Sequence, residues 1–185
     1  MLEAKLTTGQ SQVVLAVKSG KAIRFEENKT RPMGRNASGV RGIRLANDAD
    51  EVIGMVSVND MDSDILVVSE NGYGKRSKLE DYRMTNRGGI GIKTISVTDK
   101  TGSLVSIKNV SDSDDLMIIN RSGIAIRMEV ESLRVMGRAT QGVRLINLRD
   151  DDTIAAVAKV LKDDEDIEEV EDIDVDMTSE TENES

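Results

Sequence analysis

Lysine and arginine return at fixed intervals along this chain of 185 residues, and the spacing suggests a chemistry. One set is Lys21, Arg24, Arg35, Arg41 and Arg44; a second is Lys75, Arg76, Lys78, Arg87 and Lys93; a third is Arg127, Arg138 and Arg144. Arg24, Arg76 and Arg127 lie 52 and 51 residues apart, and so do Arg35, Arg87 and Arg138. Cations repeated in one register around a disc would form a basic rim. Such a rim suits a phosphate backbone, because Lys and Arg neutralise phosphates without reading sequence. Many contacts along a curved surface can offset the cost of bending a duplex, of order 1–6 kcal/mol over about 20–30 base pairs. The plainer alternative is that these are solvated cations at strand ends.

Other chemistry is poorly supplied. The chain has no His, no Cys and no Trp, and its only aromatics are Phe25, Tyr73 and Tyr82. Imidazole bases, Ser-His-Asp triads, thiolate nucleophiles, disulfides and Cys- or His-ligated metals are therefore excluded. Three aromatics are also too few for a base-stacking platform. No constellation of Ser, Thr, Lys, Tyr, Asp or Glu repeats or converges, so no catalytic residue is expected. The string Arg87-Gly88-Gly89-Ile90-Gly91 lacks the GK[ST] end of a nucleotide-binding loop and reads as a bend with positive-φ glycines. The clusters Asp48/Asp50 and Asp112/Asp114/Asp115 could hold a divalent cation but precede strands in polar loops. They read as turn formers, and no metal site is expected.

The elements that position the cations are repeats. Residues 19–45, 71–97 and 122–148 superimpose with Gly20, Gly72 and Gly123 in register, and likewise Gly39, Gly91 and Gly142. Each begins after a short, mostly branched apolar run, at residues 13–17, 65–68 and 116–119, suited to a strand buried on both faces. Ser19-Gly20, Asn71-Gly72 and Ser122-Gly123 then supply tight turns. A second strand follows, then a loop through the Gly/Arg cluster, a third strand (residues 40–45 in the first repeat) and a fourth (residues 51–58, 103–110 and 153–160). Residues 128–136 read as loop or strand rather than helix.

Four strands per unit of about 50 residues is blade-like. The predicted fold is all-β, a propeller-like pinwheel of about three four-stranded blades. The repeats fall at about 13–60, 64–110 and 115–160, in a DNA-binding domain over residues 1–160. Three blades do not close a ring, so the chain reads as a truncated product or a fragment.

The net charge of −9 divides unevenly. Residues 161–185 hold 13 acidic residues and one Lys. The rest keeps 24 basic and 21 acidic residues, a mildly basic body. The tail is too charged and too poor in apolar residues to repay ordering, and reads as disordered. If it shields the basic rim, its removal should tighten duplex binding, most clearly at low salt; equal affinities would refute that role. No apolar run approaches the roughly 20 residues of a membrane helix and no secretory signal is visible, so a cytoplasmic location is expected.

The segments RPMGRNASGVRGIRL (31–45), NGYGKRSKLEDY (71–82) and VMGRATQGVRLINL (135–148) closely resemble the C-terminal domain of the DNA gyrase A subunit. That domain is a β-pinwheel of about six blades, and with the acidic tail the resemblance covers nearly the whole chain as its last half. It implies that duplex DNA binds and wraps on the basic rim. It also implies two partners, the gyrase B subunit and the remainder of the gyrase A subunit, in an ATP-dependent type IIA topoisomerase of the bacterial cytoplasm. ATP and Mg would be used elsewhere in that holoenzyme, leaving no cofactor in this chain. The related topoisomerase IV A-type domain and a protein-interaction propeller are the alternatives. The gyrase-A box, QRRGGKG, has a degenerate copy at residues 85–91, agreeing at Arg87, Gly88, Gly89 and Gly91. The family's box belongs to a first blade that this chain does not contain, and neither Tyr73 nor Tyr82 matches the family's cleavage tyrosine.

Overall fold

A computed structural model describes residues 3–149 and 152–161. Eleven strands run in chain order: β1 (Gln12–Val17), β2 (Lys21–Glu26), β3 (Val52–Val58), β4 (Asp64–Ser69), β5 (Tyr73–Lys78), β6 (Ile92–Lys93), β7 (Leu104–Val110), β8 (Asp114–Asn120), β9 (Ala125–Glu129), β10 (Val143–Arg144) and β11 (Ile154–Leu161). Residues 162–185, on which the expected disordered tail falls, lie outside the described residues.

Three antiparallel sheets form, ordered β3-β1-β2-β6, β10-β5-β4-β7 and β11-β8-β9. This is the expected all-β, pinwheel-like architecture, an incomplete propeller. Each blade is built on a hairpin whose turn glycine has positive φ: Gly20 at 79°, Gly72 at 77° and Gly123 at 88°. Each also carries a bulge at an equivalent place, between Ala16 and Val17, Val68 and Ser69, and Ile154 and Ala156. A bulge adds local twist, which helps a sheet turn toward its neighbour.

One expectation is corrected. The third strand of a repeat does not complete its own blade. β6, from the second repeat, pairs with β2 of the first blade, with Lys21 opposite Lys93 and Ala22 opposite Ile92. β10, from the third repeat, pairs with β5 of the second, with Tyr73 opposite Arg144 and Gly74 opposite Val143. Residues 40–45 of the first repeat form no strand, and the third sheet has three strands among the described residues. The reason is that a strand is defined by its partner. These segments reach a partner only across the gap between blades.

Burial follows from the stacking. Ile65 and Val67 of β4 enter a core shared with Val14, Ala16 and Val56 of the first blade. Leu66 and Val68 enter another, with Leu116 and Ile118 of the third. β4 is thus buried at every position, whereas β1 and β8, on the end blades, keep half-buried residues such as Leu15 and Ile119.

The Asp50 carboxylate closes the first blade's turn, accepting from the Ser19 amide at 2.9 Å, the Ser19 hydroxyl at 2.8 Å and the Ala46 amide at 3.0 Å. Burial alone would raise its pKa, but these donors outweigh it and hold the carboxyl below its ordinary 3.8. Its stabilising contribution is therefore full above that value and is lost as pH falls through the lower folded value. Asp50→Ala should cost about 1–3 kcal/mol at neutral pH, with a smaller deficit in strong acid; urea melts at both pH values measure this.

Candidate nucleic-acid interface

The short strands β6 and β10 are the outer edges of their blades, and they carry cations there. Lys93 on β6 is exposed and stands directly across the ladder from the half-buried Lys21. Like charges in that position repel, unless an anion neutralises them. On β10, Arg144 is exposed and leans on Tyr73, donating from Nη2 to the phenol oxygen at 2.8 Å with its guanidinium 5.4 Å from the ring centre. Lys100 stands at 5.4 Å from the same ring. Sequence reasoning missed Lys100 because it has no counterpart in the register of the other repeats.

The sequence-predicted cations separate into two groups. Arg35, Arg41, Arg44, Lys78, Lys93, Arg127 and Arg144 are exposed; Lys21, Arg87 and Arg138 are half-buried. Arg87 donates to the Arg41 carbonyl at 3.0 Å and the Lys29 carbonyl at 2.9 Å, and Arg138 to the Lys93 carbonyl at 2.9 Å. These arginines tie each Gly/Arg loop to the preceding repeat and so position the chain that bears Arg41 and Lys93. Lys78 pairs with Asp64 at 3.1 Å, and Arg127 with Asp115 at 2.6 Å.

Arg24, Lys75 and Arg76 are engaged with the protein. Arg24 donates from Nη1 to the carbonyls of Leu79 at 2.7 Å and Tyr82 at 3.1 Å, capping a turn of the second repeat. Arg76, 8% exposed, pairs with Asp112 and lies 3.7 Å from Asp64. Asp112 and Asp50 thus both have structural partners. The glycines of the degenerate box have a backbone role. Gly88 donates to the Gly42 carbonyl at 2.5 Å, and Gly89 accepts from the Arg44 amide at 2.8 Å. Gly91, at φ 70°, presses on the Ala22 carbonyl.

Lys75 is 1% exposed, at the position held by Ile23 and Ile126 in the other repeats. Its Nζ donates to the Gly137 carbonyl at 2.6 Å and lies 3.3 Å from Thr140 Oγ1. Burial, aided by Arg138 and Lys93 and opposed by Asp81, pushes the ammonium down to about 8. Between that value and 10.5 the unfolded chain binds more protons, so this group makes stability rise with pH across that window. Lys75→Ile should raise the melting temperature at pH 7, and the gain should shrink as pH approaches 10. A gain that does not change with pH would show that Lys75 does not titrate so.

Tyr82 is fully buried, its hydroxyl bonded to Thr94, and burial pushes the phenol up to about 12. It is sealed against any substrate. Among the described residues no group of acidic side chains could hold a metal ion, and no helix is long and apolar enough to cross a membrane.

Comparison with known proteins agrees with this fold. A family model described as "DNA gyrase C-terminal domain, beta-propeller" matches residues 12–59, 63–111 and 114–161. The DNA gyrase A subunit of Staphylococcus aureus (strain NCTC 8325 / PS 47) is 46% identical over 168 residues, covering 90% of this chain and 19% of the relative. The chain thus spans about a fifth of that relative's length. Among solved structures, the DNA gyrase A C-terminal domain superimposes with a TM-score of 0.76 at 28% identity, over 84% of this chain and 52% of that one. The C-terminal domain of DNA topoisomerase IV shares the fold, with a TM-score of 0.79 at 22% identity, over 85% of this chain and 49% of that one. The repeat register, the blade sheets and these likenesses converge: the chain belongs to the DNA gyrase C-terminal domain family of β-propellers.

Proposed function

We propose that this chain holds and bends duplex DNA along the outer blade edges made by β6 and β10. Phosphates would meet Lys21, Arg35, Arg41, Arg44, Lys78, Lys93, Arg127 and Arg144. Arg87 and Arg138 contribute charge while holding the loops in place. Arg24, Lys75 and Arg76 act as positioning residues, because each binds protein acceptors and Lys75 and Arg76 are buried. The observation that carries this reading is the Lys21–Lys93 pair, two like charges set face to face at an exposed edge of a family DNA-gyrase blade. The set consists of Lys and Arg side chains, which neutralise phosphates without reading sequence, so binding should be insensitive to sequence and steeply dependent on salt.

The relatives' name supports a role as part of a gyrase A subunit, working with the gyrase B subunit in DNA supercoiling. Strand cleavage and any use of ATP and Mg would then belong to parts of the holoenzyme outside this chain.

The test is the affinity of the folded chain for linear duplex DNA across a salt series. A steep linear fall of log affinity with log salt is expected, losing about 0.9 per neutralised phosphate. No binding at low salt would overturn the reading and point to a protein partner instead.

A further inference from the structure

The joint between the second and third repeats carries a cluster that the joint before it lacks. Tyr73 and Arg144 stand opposite each other on the β5–β10 ladder. In the earlier joint the same places hold Lys21 and Lys93, and where the second repeat has Lys100 the first has Asp48. Lys100 comes from the turn between β6 and β7, and Arg149 from the segment between β10 and β11. With Tyr73 and Arg144 they line a cleft of about 250 Å³.

Cations thus converge on one ring. The Lys100 ammonium and the Arg144 guanidinium each stand 5.4 Å from the centre of Tyr73. Lys100, Arg144 and Arg149 are all exposed. Among the described residues, none of them has a carboxylate within ion-pair distance. Asp152 also lines the cleft, but its oxygens are taken by Asn120 Nδ2 at 2.6 Å, the Ser122 hydroxyl at 2.8 Å and the Thr153 amide at 2.9 Å. Like charges gathered this closely repel, and a bound anion relieves the repulsion.

The hydrogen-bonding inventory is one-sided as well. Arg144 donates from Nε and Nη2 to the Tyr73 phenol oxygen at 3.2 and 2.8 Å, and from Nη1 to Asn147 Oδ1 at 3.0 Å. The second hydrogen on each Nη is left without a protein acceptor. The phenol accepts from Arg144 and keeps its own O–H to donate. Lys100 and Arg149 can only donate. The ligand that completes such a set brings acceptors and negative charge.

We infer that this cleft is a phosphate site, in which Lys100, Arg144, Arg149 and the Tyr73 hydroxyl together hold one phosphate group. Charge-assisted hydrogen bonds from Arg and Lys to phosphate are the strong kind. The source of the phosphate rests on the reading above: the cleft adjoins β10, so the group belongs to the backbone of the bound duplex. A free phosphate would be held by the same donors. Because the earlier joint has Asp48 in place of Lys100, the contact anchors one point of the duplex path and does not recur with each blade.

The two tyrosines supply the probe. In protein isotope-labelled in its tyrosine rings, the magnetic resonance signal of Tyr73 reports on the cleft, and fully buried Tyr82 is the internal reference. Tyr82→Phe assigns the two signals. Inorganic phosphate and a short linear duplex should each move the Tyr73 signal, and acetate at the same ionic strength should not. In the duplex salt series, replacing Lys100, Arg144 and Arg149 together with glutamine should flatten the slope by about one, because the three share a phosphate. A Tyr73 signal that moves with phosphate but not with bound duplex keeps the site and assigns it to a free phosphate. If the chain binds no duplex and Tyr73 still answers phosphate, the DNA reading falls and the site stands. Where the duplex does move Tyr73, a slope left unchanged, or flattened by about three as for separate phosphates, overturns the inference. So does a signal indifferent to both phosphate and duplex, or one that acetate moves as far.

Discussion

Replacing Arg41, Arg44, Lys93 and Arg144 together with glutamine is expected to cost about 10³-fold in duplex affinity at about 0.1 M salt. The salt slope should become shallower by between about three and four. These four side chains are exposed and belong to the segments that form or match the outer edge strands. None buries its charge in the core, so the variant should fold as the parent does, which its melting curve will verify. Lys108→Gln is the control. Lys108 sits on β7, at the opposite edge of the second sheet from β10, and its loss should change affinity by less than about twofold. If the fourfold variant keeps the parental slope, phosphates do not lie along the outer edges. If Lys108→Gln matches it, the contact surface is elsewhere.

The second large effect concerns glycines that the repeat register treats as equals. Gly39, Gly91 and Gly142 share a register and a positive φ of 78°, 70° and 79°. Alanine in that conformation costs about 1–2 kcal/mol by itself. At Gly142 a Cβ would also overlap the carbonyl oxygen of Gly74, so β10 must retreat from β5. Gly142→Ala should therefore cost about 3 kcal/mol or more, and Gly91→Ala a similar amount, while Gly39→Ala should cost only about 1 kcal/mol. Denaturant melts of the dilute chain separate these values. Equal losses at Gly39 and Gly142 would mean that the joint between blades contributes nothing.

Much of this molecule was legible as a linear pattern. The hairpin turns follow from single glycines that must take positive φ, and the strands from apolar runs that suit a core buried on both faces. The repeat follows from several residue types keeping one register, and with it the family. These are local or periodic properties, and each residue reports on its own conformation or on neighbours a few positions away.

The site was legible only in part. Arg24, Arg76 and Arg127 look alike in sequence, yet Arg24 caps a turn of the next repeat, Arg76 is sealed beside Asp64 and Asp112, and Arg127 pairs with Asp115 at the surface. Lys75 carried a readable signal, since the register aligns it with Ile23 and Ile126, but its direction was set by Gly137 and Thr140, some sixty residues on. A side chain's fate depends on what packs over it, and here that cover comes from the following repeat.

Residue order alone thus settles the repeat, the hairpins and how many basic residues each blade carries. Packing in three dimensions settles which blade each edge strand joins and which cations face solvent. It also leaves the outer edge of β9 unpaired among the described residues. The division arises because the joint between blades is a backbone pairing of two residues. It is made through amides and carbonyls that nearly every residue possesses, so no side-chain pattern records its partner.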